Sequence, residues 1–143
     1  MTADPNSGPA AQKTFTTSLS VRSSELDSFG HVNHAVYLSY FEQARFEALD
    51  AGGFDLEALR AQGWGIHVVR VEVDYRRELL MGQRIRIRTW LERWRKTSMI
   101  IAQQADRGEG TEVVADIRVV AVWIDPDGRP MRVPESARIA LGG

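Results

Sequence analysis

Asp27-Ser28-Phe29-Gly30-His31-Val32-Asn33-His34-Ala35-Val36-Tyr37-Leu38 sets a carboxylate, a glycine turn, two histidines and an asparagine immediately ahead of an amphipathic run. Asn33 suits a helix N-cap, because its side-chain oxygen can accept from a first-turn N–H, and the helix then runs to about Asp50, with Gly52 and Gly53 ending it. Tyr37, Phe41, Ala44 and Ala48 recur at helical spacing and make one stripe for burial. Asp27 precedes the N-terminus of this helix, where unpaired N–H groups and the positive end of the dipole favour an anion or a developing oxyanion. An aspartate just before a glycine is also an ordinary turn residue, and spacing alone does not separate the two roles.

Around this block the chain alternates. Phe15, Thr17, Leu19 and Val21 share one face of a strand that delivers the chain to Asp27. After the long helix a short one starts at Asp55 as N-cap and stops at Gly63. Ile66 and Val68 then share one phase, and Val71, Val73 and Tyr75 the opposite one, which places a bulge near Val69-Arg70 if both groups face inward. Ile85, Ile87, Thr89 and Leu91 alternate with Arg84, Arg86, Arg88 and Trp90, predicting an apolar inner face and a basic outer one. A strand through Met99, Ile101 and Gln103, a hairpin at Arg107-Gly108-Glu109-Gly110, a strand from Val113 to Trp123 and a turn at Asp125-Pro126-Asp127-Gly128 follow. The order predicts an α+β fold in which an antiparallel sheet curls around the one long helix.

Length and composition narrow the chemistry. The 143 residues suit one domain, expected over residues 14–143 behind a disordered tail at 1–13 rich in Ala, Pro, Gly, Ser and Asn. Eighteen basic against 19 acidic residues leave a net charge of -1, with no global field for nucleic acid or an anionic membrane. The absence of cysteine excludes disulfides, thiolate metal sites and cysteine nucleophiles. With no membrane-spanning run and no signal-peptide pattern, a cytoplasmic location is expected. The nucleophile elbow, the zinc helix and the phosphate loop are all missing, and Gly63-Trp64-Gly65 and Gly108-Glu109-Gly110 read as turn glycines. Asp27, His31 and His34 are conceivable metal ligands, though one histidine facing water is the plainer reading. His67 reads as structural or exposed, and Arg93, Arg95 and Lys96 as either a solvated corner or a phosphate site.

The run Val21-Arg22, Asp27 to Ala35, Tyr37-Leu38, Tyr40-Phe41-Glu42 and Ala44-Arg45 resembles the signature of the hotdog-fold acyl-CoA thioesterases, in the 4-hydroxybenzoyl-CoA thioesterase branch. The resemblance extends from about Phe15 to Ile139, with a weaker match at Arg93-Trp94-Arg95-Lys96-Thr97-Ser98. It implies a homo-oligomer, a dimer or tetramer formed by joining sheets edge to edge, with active sites at the interface. It puts the catalytic carboxylate on Asp27, with Glu25 at a variable acidic position before it. It puts an assisting histidine and the oxyanion N–H on His34. It assigns coenzyme A contacts to Arg95, Lys96 and Ser98, and an acyl pocket involving Asn33, Tyr37, Phe41 and Trp64. No metal or separate cofactor is implied, coenzyme A entering only as part of the substrate. The aromatic and proline residues marking the 4-hydroxybenzoyl-specific members are absent near Asp27, so that substrate is not expected. Hydrolysis of an acyl-CoA to a free acid, with Asp27 as nucleophile or general base, is the reading carried forward. Its rivals are a non-catalytic acyl-CoA sensing module and, behind that, an acyl-thioester hydratase or dehydratase.

Overall fold

A computed structural model describes residues 13–142. All of the tail expected at 1–13 except Lys13 lies outside the described residues; Lys13 itself donates through its ammonium to the carbonyls of Ile139 and Ala140. The elements are β1 (Phe15–Ser20), a 3-10 turn (Ser23–Glu25), α1 (His34–Ala51), α2 (Leu56–Gln62), β2 (Gly65–Tyr75), β3 (Arg84–Trp94), β4 (Ser98–Asp106), β5 (Val113–Ile124) and α3 (Glu135–Leu141). All five strands form one antiparallel sheet in the order β1-β3-β4-β5-β2.

Local chemistry explains the helix ends. Asn33 caps α1 by accepting from Ala35 N–H at 2.8 Å, and Asp55 caps α2 by accepting from Ala58 N–H at 2.8 Å. Gly63 closes α2 in the left-handed region at φ 73°, where a side chain would be strained. The stripe Tyr37, Phe41, Ala44 and Ala48, joined by Tyr40, is buried against the sheet. It meets Ile85, Ile87, Leu91, Met99, Ile101, Ile117, Val119 and Trp123, the inward-facing rows of β3, β4 and β5. One long helix lying in a curved antiparallel sheet is the predicted architecture.

The phase change in β2 is resolved by a bulge at Val69, where the register with β5 shifts between Val68 and Arg70. Ile66, Val68, Val71, Val73 and Tyr75 consequently all pair with inward-facing residues of β5. Two features go beyond the sequence reading. The outer face of β3 is basic, as the alternation predicts, but it is not uniformly in water: Arg84 is exposed, whereas Arg88 is only 3 % accessible. The reason is Asp106, itself 1 % accessible, which faces Arg86 across the β3–β4 register. It accepts two hydrogen bonds from that guanidinium at 3.0 and 2.8 Å, with Arg88 at 3.7 Å. The second is α3, which the sequence reading does not anticipate: its Ala137 and Leu141 enter the core.

Candidate active site

The segment leading into α1 is built around the Asp27 carboxylate. Asp27 Oδ1 accepts from the N–H groups of Phe29 at 2.9 Å and His31 at 3.2 Å, while its own N–H donates to His31 O at 2.8 Å. Gly30 completes this turn at φ 80°, donating to Asp27 O. One carboxylate oxygen is thus fixed by backbone donors, and Oδ2 has no hydrogen-bond partner among the described residues. The side chain is exposed and accessible to a ligand.

Three contacts hold this turn, and none was legible as a pair in sequence. Val32 N–H donates to Leu79 O and His31 bridges to Leu80, so the turn lies against the β2–β3 connection. His31 Nε2 sits 2.9 Å from Glu78, which commits that imidazole to a neighbour on the same connection. Glu25 accepts from Arg22 N–H and from the Tyr40 hydroxyl, both at 2.8 Å, while its carbonyl accepts from Asn33 N–H. Burial works against the Glu25 carboxylate, but hydrogen bonds from Arg22 N–H, Tyr40 and the Arg22 guanidinium outweigh it and hold its pKa below the ordinary value. Burial, reinforced by donation to Glu25, pushes the Tyr40 hydroxyl well above the usual phenol range. Glu25, noted only as a variable acidic position, therefore ties the loop to α1. The Arg22-to-Glu25 spacing was the one available signal for this link.

At the helix start, Ala35 N–H is taken by the Asn33 side chain and Val36 N–H by Asn33 O. His34 N–H has no acceptor among the described residues. The His34 ring meets Tyr75 edge-on, with centroids 6.3 Å apart, and His34 O accepts from the Tyr75 hydroxyl at 2.8 Å. Among the described residues no three His, Asp or Glu side chains gather as a metal site.

The residues expected around the acyl chain separate. Tyr37 and Phe41 belong to the core, Phe41 with no accessible surface, so in the single chain neither faces an open cavity. Asn33 has its side-chain oxygen engaged in the cap. Trp64 alone of that set lines the large trough of about 1020 Å³ that runs between the C-terminal half of α1, α2 and the start of β2. Phe46, Leu49, Phe54, Leu56, Ile66 and Met99 give it apolar walls. Arg45 enters one side, its Nη1 donating to Gln103 Oε1 at 3.0 Å, and burial lowers its pKa. Gln103, 1 % accessible, also donates to Phe41 O and to Thr89 Oγ1, both at 3.0 Å, pinning α1 to the sheet.

The expected coenzyme A residues lie elsewhere. Arg95 and Lys96 are exposed on the β3–β4 turn, and Ser98 is largely buried at the start of β4. Asp27 sits at the Arg84 end of β3 and this turn at its Trp94 end. Eleven residues of strand separate them, on the order of 30 Å at about 3.3 Å per residue. The trough opens at the Arg95 end, since Gly65 pairs with Ile124 and Trp123 N–H donates to Thr97 O. One chain therefore holds the carboxylate at one end of its sheet and the trough and basic turn at the other.

Residues 21–141 match the family model of the Thioesterase-like superfamily. The chain belongs to that superfamily. Its relatives include the acyl-acyl carrier protein thioesterase ATL2 of Arabidopsis thaliana, 29% identical over 87% of this chain and 66% of its own length. The long-chain acyl-CoA thioesterase FadM of Escherichia coli is 30% identical over 76% of this chain and 82% of its own. The chain spans just under two thirds of the plant relatives it matches. Among solved structures, the probable thioesterase YbaW of Escherichia coli superposes with a TM-score of 0.79 at 28% identity, covering 89% of this chain and 96% of that one. The fold is thus the hotdog fold of thioesterases. Among the described residues no helix is long and apolar enough to cross a membrane.

Proposed function

We propose that the protein hydrolyses an acyl thioester to a free carboxylic acid and a thiol, with Asp27 as the acting carboxylate. The observation that carries this reading is the pairing of functions at the start of α1. Backbone donors hold Asp27 Oδ1, and among the described residues neither Oδ2 nor the neighbouring His34 N–H has a hydrogen-bond partner. Oδ2 either takes a proton from water, whose oxygen adds to the thioester carbonyl, or adds to that carbon itself to give an anhydride that water then cleaves. Either route places negative charge on the carbonyl oxygen, which a fixed N–H at a helix start would stabilise without reorganising. Collapse breaks the C–S bond, and the thiolate leaves to be protonated by solvent.

The separation of the two halves supports a site completed by a second copy. β2 is a sheet edge, and its inward row, including Val68, Val71 and Tyr75, is largely exposed. Two β2 strands joined antiparallel about a twofold axis would set the Tyr75 end of one, beside His34, against the Gly65 end of the other, beside the trough. Asp27 of one protomer would then serve an acyl chain lying in its partner's trough. Arg95 and Lys96 stand at that same end to meet phosphate. The thioester is carried on coenzyme A or on a carrier protein, since relatives are named for each.

Release of free thiol from short, medium, long and aromatic acyl-CoAs and from an acyl carrier protein tests the reading, with Asp27→Asn run in parallel. Turnover that collapses in the variant is expected. Full turnover by Asp27→Asn would remove the role assigned to that carboxylate, and no turnover on any thioester would leave a binding module.

A further inference from the structure

Asp27 and the His34 N–H lie on two pieces of chain, a turn and a helix start, and one thioester meets both only if their separation is fixed. The side chains that reach both pieces come from one short run, Tyr75-Arg76-Arg77-Glu78-Leu79-Leu80, where β2 ends and turns towards β3. At its first residue the Tyr75 hydroxyl donates to His34 O at 2.8 Å, and its ring meets the His34 ring edge-on. Three residues later Glu78 Oε2 lies 2.9 Å from His31 Nε2. His31 N–H is in turn one of the two backbone donors on Asp27 Oδ1. Next to Glu78, Leu79 O accepts from Val32 N–H at 2.9 Å and Leu80 bridges to His31.

The run is itself anchored. The N–H groups of Arg76 and Arg77 both donate to Val114 O, at 2.8 and 3.0 Å, and Arg76 Nε donates to Asp116 Oδ2 at 2.6 Å. Arg107 Nη2 donates to Glu78 O at 3.1 Å. Its base is therefore β5 and the β4–β5 hairpin, not the turn it supports. Tyr75 is 46 % accessible and the Glu78 side chain 55 %. Polar contacts this open to water add little to folding, so what they supply is direction.

We infer that Tyr75 and Glu78 are positioning residues of the proposed site: acting through His34 and His31, they hold the Asp27 carboxylate and the His34 N–H at one fixed separation. The inference rests on the thioesterase reading and adds to it the side chains that align its two halves. Tyr75 also ends the open edge strand β2, so the same residue ties the helix start to the surface that a second copy would cover.

The test measures thiol release by wild type, Asp27→Asn, Tyr75→Phe, Glu78→Ala, Glu78→Gln and the double variant Tyr75→Phe with Glu78→Ala, on the thioester that wild type turns over fastest. Tyr75→Phe removes one hydroxyl and Glu78→Ala one carboxylate. Each should lower kcat about tenfold, as a small misplacement of reacting groups does, with KM within about twofold and melting unchanged. Glu78→Gln keeps an acceptor for His31 and should recover most of the wild-type kcat. Because both contacts serve one separation, the double variant should lose about thirtyfold rather than the product of about a hundredfold. Wild-type kcat in Tyr75→Phe or Glu78→Ala overturns the inference. So does a loss that lies in KM rather than kcat, a loss that tracks dissociation in sedimentation, or strictly multiplicative losses in the double variant. No turnover by wild type, or full turnover by Asp27→Asn, instead removes the thioesterase reading and leaves nothing for the two residues to align. An active wild type, an inactive Asp27→Asn and unimpaired Tyr75 and Glu78 variants remove this inference alone.

Discussion

β2 and β4 are both long, apolar antiparallel strands, and they have opposite fates. In β4 every residue but Gln104 is buried, because β3 and β5 flank it and α1 covers its inward row. In β2 the inward row Ile66, Val68, Val71, Val73 and Tyr75 is in phase with the core of β5, yet most of it stays in water. β4 has used its apolar surface within the chain. β2 has not, and a second edge pairing with it would cover side chains worth roughly 1.5 to 3 kcal/mol each when fully buried. The contrast locates the buried core in the middle of the sheet and the uncovered apolar surface at its β2 edge.

Four experiments break or sharpen that division. Asp27→Asn removes the carboxylate proposed to act: kcat/KM should fall about a thousandfold, within the range for a positioned acid or base, with sedimentation and melting unchanged. A matching loss of stability would mean that Asp27 is a turn residue first. Met99→Ala empties space in the buried strand and should cost about 3 kcal/mol in urea unfolding without altering self-association. Val71→Lys charges the exposed strand. It should turn a dimer into a monomer by sedimentation and lower turnover about a hundredfold by misplacing the site, while leaving the melting of the single chain almost unchanged. A Val71→Lys protein that remains dimeric would place the interface elsewhere.

Glu25→Gln has the smallest effect. The Glu25 pKa is held below 4.5, so its contribution is complete above that value and is lost as pH falls through the lower folded value. Urea midpoints should show the variant about 1 kcal/mol less stable at neutral pH, with the gap closing in acid. A gap independent of pH would mean that the carboxylate charge is not what ties the loop to Tyr40.

Much of this was legible in the chain because it is local. Asn33 and Asp55 announce caps through side chains that reach only a few residues, and Gly63 announces a positive φ. The phase slip between Val68 and Val71 announces a bulge because side chains alternate with a strict period of two. Asp27 was legible as a turn carboxylate ahead of a helix. What escaped was decided by partners distant in sequence. Arg88 reads as a solvated arginine until Asp106, on the next strand, stands beside it. Gln103 reads as a strand residue until its amide joins Phe41, Thr89 and Arg45 in one buried group. Phe41 reads as a pocket wall until the sheet closes over it.

The sequence by itself therefore determined the five strands, the first two helices, their order and the residue types gathered at Asp27, though not α3, because caps, turns and periodicity act within a few residues. Only the tertiary structure decided which charges are buried, which apolar strand remains open, and that the carboxylate and the trough lie at opposite ends of one sheet. Those outcomes depend on register and on curvature around α1, which bring together residues far apart in the chain, such as Phe41 and Gln103, 62 positions apart.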